Sequence, residues 1–77
     1  MTILDQVRTT AADVLRVPLE KITKASTPEE IETWDSVEHL NLILALETQF
    51  GLEFEPEEIE RMKSIGDIAL LVESKAG

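Results

Sequence analysis

The segment from Trp34 to Gly51 constrains the fold of this 77-residue chain most, because it predicts a helix with apolar residues on two sides. Asp35 is a favourable N-cap residue, and Glu38 follows three positions later, so the two predict a capping box at the helix start. Gly51 stands where a helix commonly ends. The segment therefore predicts a helix of about four turns that begins near Ser36.

The apolar residues of this helix fall on two nearly opposite faces when each residue advances the direction by about 100°. One face contains Leu42, Ile43, Leu46 and Phe50, and the other contains Val37, Leu40 and Leu44. The first face can pack against a core, whereas the second needs another explanation. Since the second face begins next to Ser36, we expect it to stay exposed as a surface for helix-mediated recognition.

The remaining sequence predicts three further helices and no sheet. Apolar residues at i, i+3 and i+4 spacing predict a first helix that Thr2 can cap and that ends before Pro18. Pro56 opens a short third helix, and Ser64 caps a last helix that we expect to fray from Ser74 onward. The predicted fold is all-α: a four-helix bundle with a long first loop and a short third helix, in one domain spanning residues 1–77.

The long connection over residues 17–33 has no sustained periodicity. Three apolar residues, Leu19, Ile22 and Ile31, are predicted to fasten it to the helices. Thr27 and Pro28 resemble a helix start, so a short helical turn is expected there. Loops of this length in small domains are usually functional or disordered, and the apolar residues favour an ordered, functional one.

The charge distribution excludes some classes of binding partner. The net charge is −9, and the stretch from Ala25 to Glu60 holds eleven acidic residues and no lysine or arginine. Such a surface repels nucleic acid and anionic membranes, and either attracts a basic protein or only keeps the chain soluble. No apolar run reaches membrane-spanning length and the N-terminus lacks a charged signal-peptide start, so we expect a cytoplasmic protein, monomeric because nothing demands an oligomer.

Ser36 and His39 lie three residues apart on the predicted helix, which raises the question of a hydrolase. A hydrolase also needs a preformed oxyanion hole and a cleft, and His39 is expected to project toward the core instead. One histidine, no cysteine and no calcium-loop spacing leave no basis for a metal site. We therefore expect no catalytic or metal site, and interpret Ser36 as an ordinary helix-start residue or as an acceptor for a group that another protein attaches.

Asp35-Ser36-Val37 is followed in register by several residues that carry a family resemblance: Leu42, Ala45, Leu46, Glu47 and Phe50. With these residues the chain resembles the acyl carrier protein family, also called phosphopantetheine-binding or thiolation domains. The resemblance covers essentially the full length, including the Phe-Gly end of the central helix and the Pro-Glu-Glu start of the third. It implies a four-helix carrier fold with Ser36 as the modified residue and Asp35 as part of its motif.

The resemblance further implies that a phosphopantetheinyl transferase uses coenzyme A and magnesium to attach 4'-phosphopantetheine to Ser36. The thiol of this arm would hold acyl intermediates as thioesters while they pass between acyl-activating or acyl-transferring enzymes. A fatty acid, polyketide, nonribosomal peptide or related pathway is compatible with this role. The chain would thus be a carrier and a phosphoprotein, not an enzyme, and would do thiol chemistry without a cysteine of its own.

Enzymes with basic docking surfaces are expected to contact Val37, Glu38, Leu40, Asn41, Leu44 and Glu47. Val37 stands where the family usually has leucine, and Asn41 and Thr48 are neutral where fatty-acid carriers tend to have glutamates. These departures favour a specialised pathway over housekeeping fatty acid synthesis. We expect the chain to be a discrete carrier. The alternative is an acidic, helical interaction adaptor whose Ser36 is never modified.

Overall fold

A computed structural model of the chain describes residues 2–76 and contains four α-helices and no strand within that range. The helices are α1 (Ile3–Leu15), α2 (Ser36–Phe50), α3 (Pro56–Glu60) and α4 (Ile65–Ala76). The all-α fold with a long first loop and a short third helix is therefore confirmed. Residues 52–54, whose alternating pattern resembles a strand, form an extended connector without regular structure.

Capping residues determine where the first two long helices begin and end. The Thr2 side chain accepts a hydrogen bond from the backbone N–H of Asp5 and starts α1. Asp35 does the same for α2 by accepting from the N–H of Glu38 at 2.9 Å. Gly51 ends α2 in the left-handed conformation, with φ of 65°, which glycine adopts without the steric cost of a Cβ.

The core is mostly aliphatic and lies where α1 packs against α2 and α4. Its fully buried large side chains come from all three of these helices and from the first loop: Val7, Leu15, Ile22, Leu42, Leu46, Ile65, Ile68 and Val72. The segments on either side of α3 add Phe54 and Met62 to the core, while α3 itself has no fully buried residue and only packs Ile59 against it. The packing places one face of α2 inward and turns the opposite face toward solvent.

The long first loop is ordered by hydrogen bonds to both neighbouring helices. Arg8 of α1 donates from Nε to the carbonyl oxygen of Ile22 at 2.6 Å. At the other side, the N–H of Gly66 in α4 donates to the carbonyl of Lys24 at 2.8 Å. A Cβ at Gly66 would lie 2.9 Å from that same oxygen, so the close approach of the loop to α4 requires glycine. These contacts fix the path by which the loop reaches Ser36.

Some local predictions for the loop and the last helix are wrong. Ile22 and Ile31 are buried as predicted, but Leu19 is 45% exposed. It is the first residue of a 3-10 helix, Leu19–Lys21, that was not predicted. The short helical turn expected after Thr27 is present, since the N–H of Ile31 donates to the Thr27 carbonyl oxygen at 3.1 Å. Helix α4 continues to Ala76, so the predicted fraying from Ser74 is not observed; Gly77 lies outside the described residues.

Helix α3 is too short to be stable alone and is held by polar contacts at its ends. The backbone N–H of Glu55 donates to the Glu58 carboxylate at 2.8 Å, and Lys75 of α4 pairs with the same carboxylate at 3.0 Å. These two donors hold the pKa of the Glu58 carboxyl below its ordinary value. Helix α3 is thereby tied to the C-terminal half of α4.

Candidate functional site

Ser36 is the first residue of α2 and its side chain is exposed. The cap is supplied by Asp35, so the serine hydroxyl is not used to start the helix. The backbone N–H of Glu38 donates to the Asp35 side chain and that of His39 to the Asp35 carbonyl oxygen. Since the first four N–H groups of a helix have no partner within it, those of Ser36 and Val37 remain available for an anion at the helix start.

Trp34 and His39 pack together beside Ser36. The indole Nε1–H of Trp34 donates to Nδ1 of His39 at 3.0 Å, and the ring centroids lie 5.9 Å apart. A histidine nitrogen that accepts a hydrogen bond carries no proton, so this contact requires the neutral ring. Burial lowers the pKa of His39, and a hydrogen bond with the backbone of Ile59 only partly opposes that shift.

His39 lies against the core and holds Trp34 through the Nε1–Nδ1 hydrogen bond. It is half-buried, as the prediction that it borders the core requires, and its Nδ1 accepts from Trp34. Trp34 in turn is only 2% exposed, which fixes the chain immediately before Asp35 and Ser36. A surface cavity of about 260 Å³ adjoins the serine, with Pro28, Trp34, Asp35, Ser36, His39 and Met62 as its lining.

The apolar side chains that the sequence places on the outer face of α2 are exposed. Val37 is 65% exposed, Leu40 57% and Leu44 60%. They form one stripe, hereafter the outer stripe, that starts at the residue after Ser36. Single exposed apolar residues are common, but three on one helix face next to an exposed serine form a patch that a partner can cover.

Glu38 borders the outer stripe and is held by two side chains of this chain. Its Oε1 accepts from Nδ2 of Asn41 at 2.8 Å, and its Oε2 pairs with the Arg16 guanidinium at 2.9 Å. The predicted capping box is therefore only half formed, because the Glu38 carboxylate turns to these donors. The N–H of Asp35, which the box would satisfy, donates to the carbonyl of Thr33 instead.

Glu47 borders the outer stripe on its other flank and also has an internal partner. Its Oε2 accepts from the backbone N–H of Phe54 at 2.8 Å, which ties the connector to the last turns of α2. Glu47 is only partly exposed. Both glutamates that sequence reasoning assigns to partner docking thus make structural contacts, and their carboxylates are less free than the periodicity of the helix indicates.

Sequence reasoning missed the contribution of Arg16 to this region. Arg16 ends α1 and lies 22 positions before Glu38 in the chain, so no helical spacing relates the two residues. The only available signal is that Arg16 is one of three basic residues, with Lys21 and Lys24, that come shortly before the acidic stretch. The Trp34–His39 contact was also not predicted, because it joins a loop residue to a helix residue.

Within residues 2–76, no cluster of three or more histidine, aspartate or glutamate side chains is arranged to hold a metal ion. None of the helices in that range is long and apolar enough to span a membrane. The groups present around Ser36 are a free hydroxyl, a capping carboxylate and backbone N–H groups at a helix start.

Comparison with known proteins decides the family. The family model described as "Phosphopantetheine attachment site" matches residues 5–72. An acyl carrier protein of Thermosynechococcus vestitus is 38% identical over 74 residues, which cover 95% of this chain and 90% of the relative. This chain belongs to the acyl carrier protein family. An acyl carrier protein of Wolinella succinogenes is 30% identical over 74 residues, covering 96% of this chain and 97% of the relative.

Solved structures of acyl carrier proteins share the fold. The solution structure of a holo acyl carrier protein from Geobacter metallireducens has a TM-score of 0.87 and 32% identity, covering 97% of this chain and 86% of that one. A holo acyl carrier protein from Nitrosomonas europaea has a TM-score of 0.84 and 32% identity, covering 97% of this chain and 96% of that one. The predicted family is thus confirmed in both sequence and structure.

The prosthetic group of the family is 4'-phosphopantetheine, and the prediction of this cofactor is confirmed. Proteins of this family are carriers and not catalysts. The residues around Ser36 fit such a group, since an exposed hydroxyl lies beside two backbone N–H groups at the positive end of a 15-residue helix. A phosphodiester formed on that hydroxyl would be a stable anion in this position.

Proposed function

We propose that this chain carries acyl intermediates on a 4'-phosphopantetheine arm attached to Ser36. The observation that carries the proposal is the position of Ser36: exposed, first in α2, and free of the capping role that Asp35 performs. The arm supplies the thiol on which acyl groups are held as thioesters. The proposal treats residues 1–77 as one carrier domain, which is supported by the one hydrophobic core found within residues 2–76.

Attachment of the arm is a phosphoryl-group transfer in which this chain supplies the nucleophile. A bond forms between Ser36 Oγ and the phosphorus that bears the pantetheine, while the bond from that phosphorus to the remaining nucleotide phosphate of coenzyme A breaks. The serine proton passes to a base of the phosphopantetheinyl transferase. The Ser36 and Val37 N–H groups stabilise the resulting negative charge at the helix start.

Docking is proposed to use the outer stripe together with its polar borders. Val37, Leu40 and Leu44 supply apolar area, and Glu38, Asn41 and Glu47 lie along its two sides. A small apolar patch with charged edges favours fast and weak association, as a carrier that visits several enzymes requires. Transferases and acyl-handling enzymes with basic surfaces are the proposed partners, in a cytoplasmic and specialised pathway with this protein as a monomer.

Intact-protein mass tests the proposal. The chain is incubated with coenzyme A, magnesium and a broad-specificity phosphopantetheinyl transferase, beside Ser36→Ala and Ser74→Ala variants. Ser74 is an exposed serine of α4 and serves as the matched control. A gain of one phosphopantetheine is expected on the native chain and on the Ser74 variant, and none on the Ser36 variant.

The second candidate is an acidic adaptor that uses the outer stripe without modification. It is compatible with the exposure of Val37, Leu40 and Leu44, because an adaptor needs an exposed apolar surface as much as a carrier does. Ser36→Ala separates the two, since it abolishes the function of a carrier and leaves the binding of an adaptor nearly unchanged. Absence of any mass gain with several transferases would favour the adaptor.

A further inference from the structure

The carboxylate of Glu38, on the border of the outer stripe, is already neutralised by a cation of the same chain. Arg16 Nη2 lies 2.9 Å from Glu38 Oε2, with the Arg16 side chain 70% exposed and the Glu38 side chain only 13% exposed. Asn41 Nδ2 occupies the other carboxylate oxygen. With both oxygens engaged and the side chain largely covered, a lysine or arginine of a partner has to compete with Arg16 to pair with Glu38.

The backbone conformation of Arg16 is a second observation. Arg16 ends α1 in the left-handed region, with φ of 58°, and is the single non-glycine residue with positive φ in residues 2–76. Glycine is the usual residue in this conformation, and this chain does place Gly51 at the equivalent end of α2. A long cationic side chain thus stands where glycine is favoured, and it is directed at the border of the outer stripe.

We propose that Arg16 is a specificity-determining residue, which competes with the basic side chains of partner enzymes for Glu38. The proposal rests on the proposed carrier function. Its consequence is that partners that depend on a cation opposite Glu38 bind weakly. Partners that rely on the apolar stripe, or that present an acidic group to the exposed Arg16, are selected instead.

The small energy expected for the Arg16–Glu38 ion pair agrees with a residue that adjusts partner affinity modestly. Exposed ion pairs are weak, since long side chains lose entropy and water screens the charges, so displacing Arg16 is expected to change affinity by about threefold. The competition raises the KM of a basic partner without affecting the chemical step, because Arg16 pairs with the Glu38 carboxylate while the reacting atom is Ser36 Oγ. Salt reduces the effect, since it screens both the internal pair and the intermolecular one.

Steady-state attachment of phosphopantetheine to the full chain tests the proposal. The probe enzyme is a phosphopantetheinyl transferase whose acceptor-binding surface carries lysine or arginine, with coenzyme A and magnesium saturating. Arg16→Gln is expected to lower the KM for the carrier by about threefold at low salt, with kcat unchanged. Arg16→Lys keeps the competing charge and is expected to behave like the native chain.

Glu38→Gln completes a double-mutant cycle. In the native background it is expected to change KM little, because Arg16 already occupies the carboxylate. In the Arg16→Gln background it is expected to return KM to about the native value. Lys24→Gln is the charge-matched control: it also removes one positive charge, but Lys24 lines a separate cavity with Leu4 and Leu70.

An unchanged or raised KM for Arg16→Gln would overturn the proposal, as would an equal decrease for Lys24→Gln, which would show an effect of net charge only. Arg16→Gly guards against a folding artefact, since glycine is favoured at this backbone conformation and should give the same low KM in a stable chain. Failure of the native chain to accept the arm refutes the proposed function itself. If the native chain accepts the arm and Arg16→Gln shows the same kinetics as the native chain, only the proposed competition by Arg16 is refuted.

Discussion

The two faces of α2 carry the same kinds of residue and have opposite environments. Leu42 and Leu46 are fully buried against the other helices, whereas Leu40 and Leu44 are 57% and 60% exposed. Residue type alone therefore does not determine which side of the helix enters the core. The difference teaches that one helix can serve stability with one face and leave the other available for partners, with Ser36 at the end of the exposed one.

Truncating one leucine on each face of α2 should give the largest contrast, measured as the change in the free energy of unfolding. Leu46→Ala removes a fully buried side chain from the core and is expected to lower the free energy of unfolding by about 2–5 kcal/mol. Leu44→Ala removes an exposed one and should stay within about 0.5 kcal/mol of the native chain. Urea denaturation followed by circular dichroism measures both. Similar losses for the two variants would mean that the outer stripe is also part of the core.

A charge on the exposed face should separate docking from folding. Leu44→Asp places a carboxylate in the outer stripe and is expected to reduce kcat/KM for the transferase by about tenfold or more, because a central apolar contact of an interface is lost. Its melting temperature should remain near the native one. Leu70→Asp is the matched control, since Leu70 on α4 is 68% exposed and lies outside the outer stripe.

Two outcomes would contradict the expected effect of Leu44→Asp. If Leu44→Asp unfolds the chain, Leu44 contributes to the core despite its exposure. If Leu70→Asp reduces turnover as much as Leu44→Asp does, the docking surface does not follow α2.

Local signals in the sequence were sufficient for the helices and for the position of Ser36. Asp35 and Gly51 determine the ends of α2 through contacts within four residues, and such contacts can be read from spacing. Helical periodicity places Val37 and Leu44 on the face opposite Leu42 and Leu46 in the same way. The extent of α4 was underestimated, because propensity near a chain end does not reveal that Lys75 is anchored on Glu58.

The polar contacts of the site were less predictable, because they join residues far apart in sequence. The capping motif predicts that Glu38 returns to Asp35, yet a better donor arrives from the end of α1 in the form of Arg16. Glu47 similarly accepts from Phe54, in a connector whose path only the tertiary fold determines. Partner specificity depends on such contacts, so it is the part of the function that periodicity describes least.

Loss of the helix cap should affect both faces of α2 together. Asp35→Ala removes the acceptor for the Glu38 N–H and is expected to lower the free energy of unfolding by about 1 kcal/mol. Ser36→Ala, one position later, should have almost no effect on stability because Ser36 does not cap the helix. Thermal denaturation of the two variants gives the comparison. Equal destabilisation would show that the serine hydroxyl is needed for the helix start, and would weaken the argument that it is free for modification.

The smallest expected effect is a pH dependence at His39, on the boundary between the two faces. Burial lowers the pKa of this histidine in the folded chain below the ordinary 6.5. As the pH falls through 6.5, the unfolded chain takes up the proton first, so folding stability should decrease from there down to the lowered folded pKa. The decrease should be modest because the ring is only half-buried, and above pH 6.5 it should vanish since both states are neutral. Urea denaturation between pH 7.5 and 5.5, with Trp34 fluorescence as the signal, measures it against His39→Gln. The variant should lack this part of the pH dependence, and parallel curves for the two proteins would assign the titration to other groups.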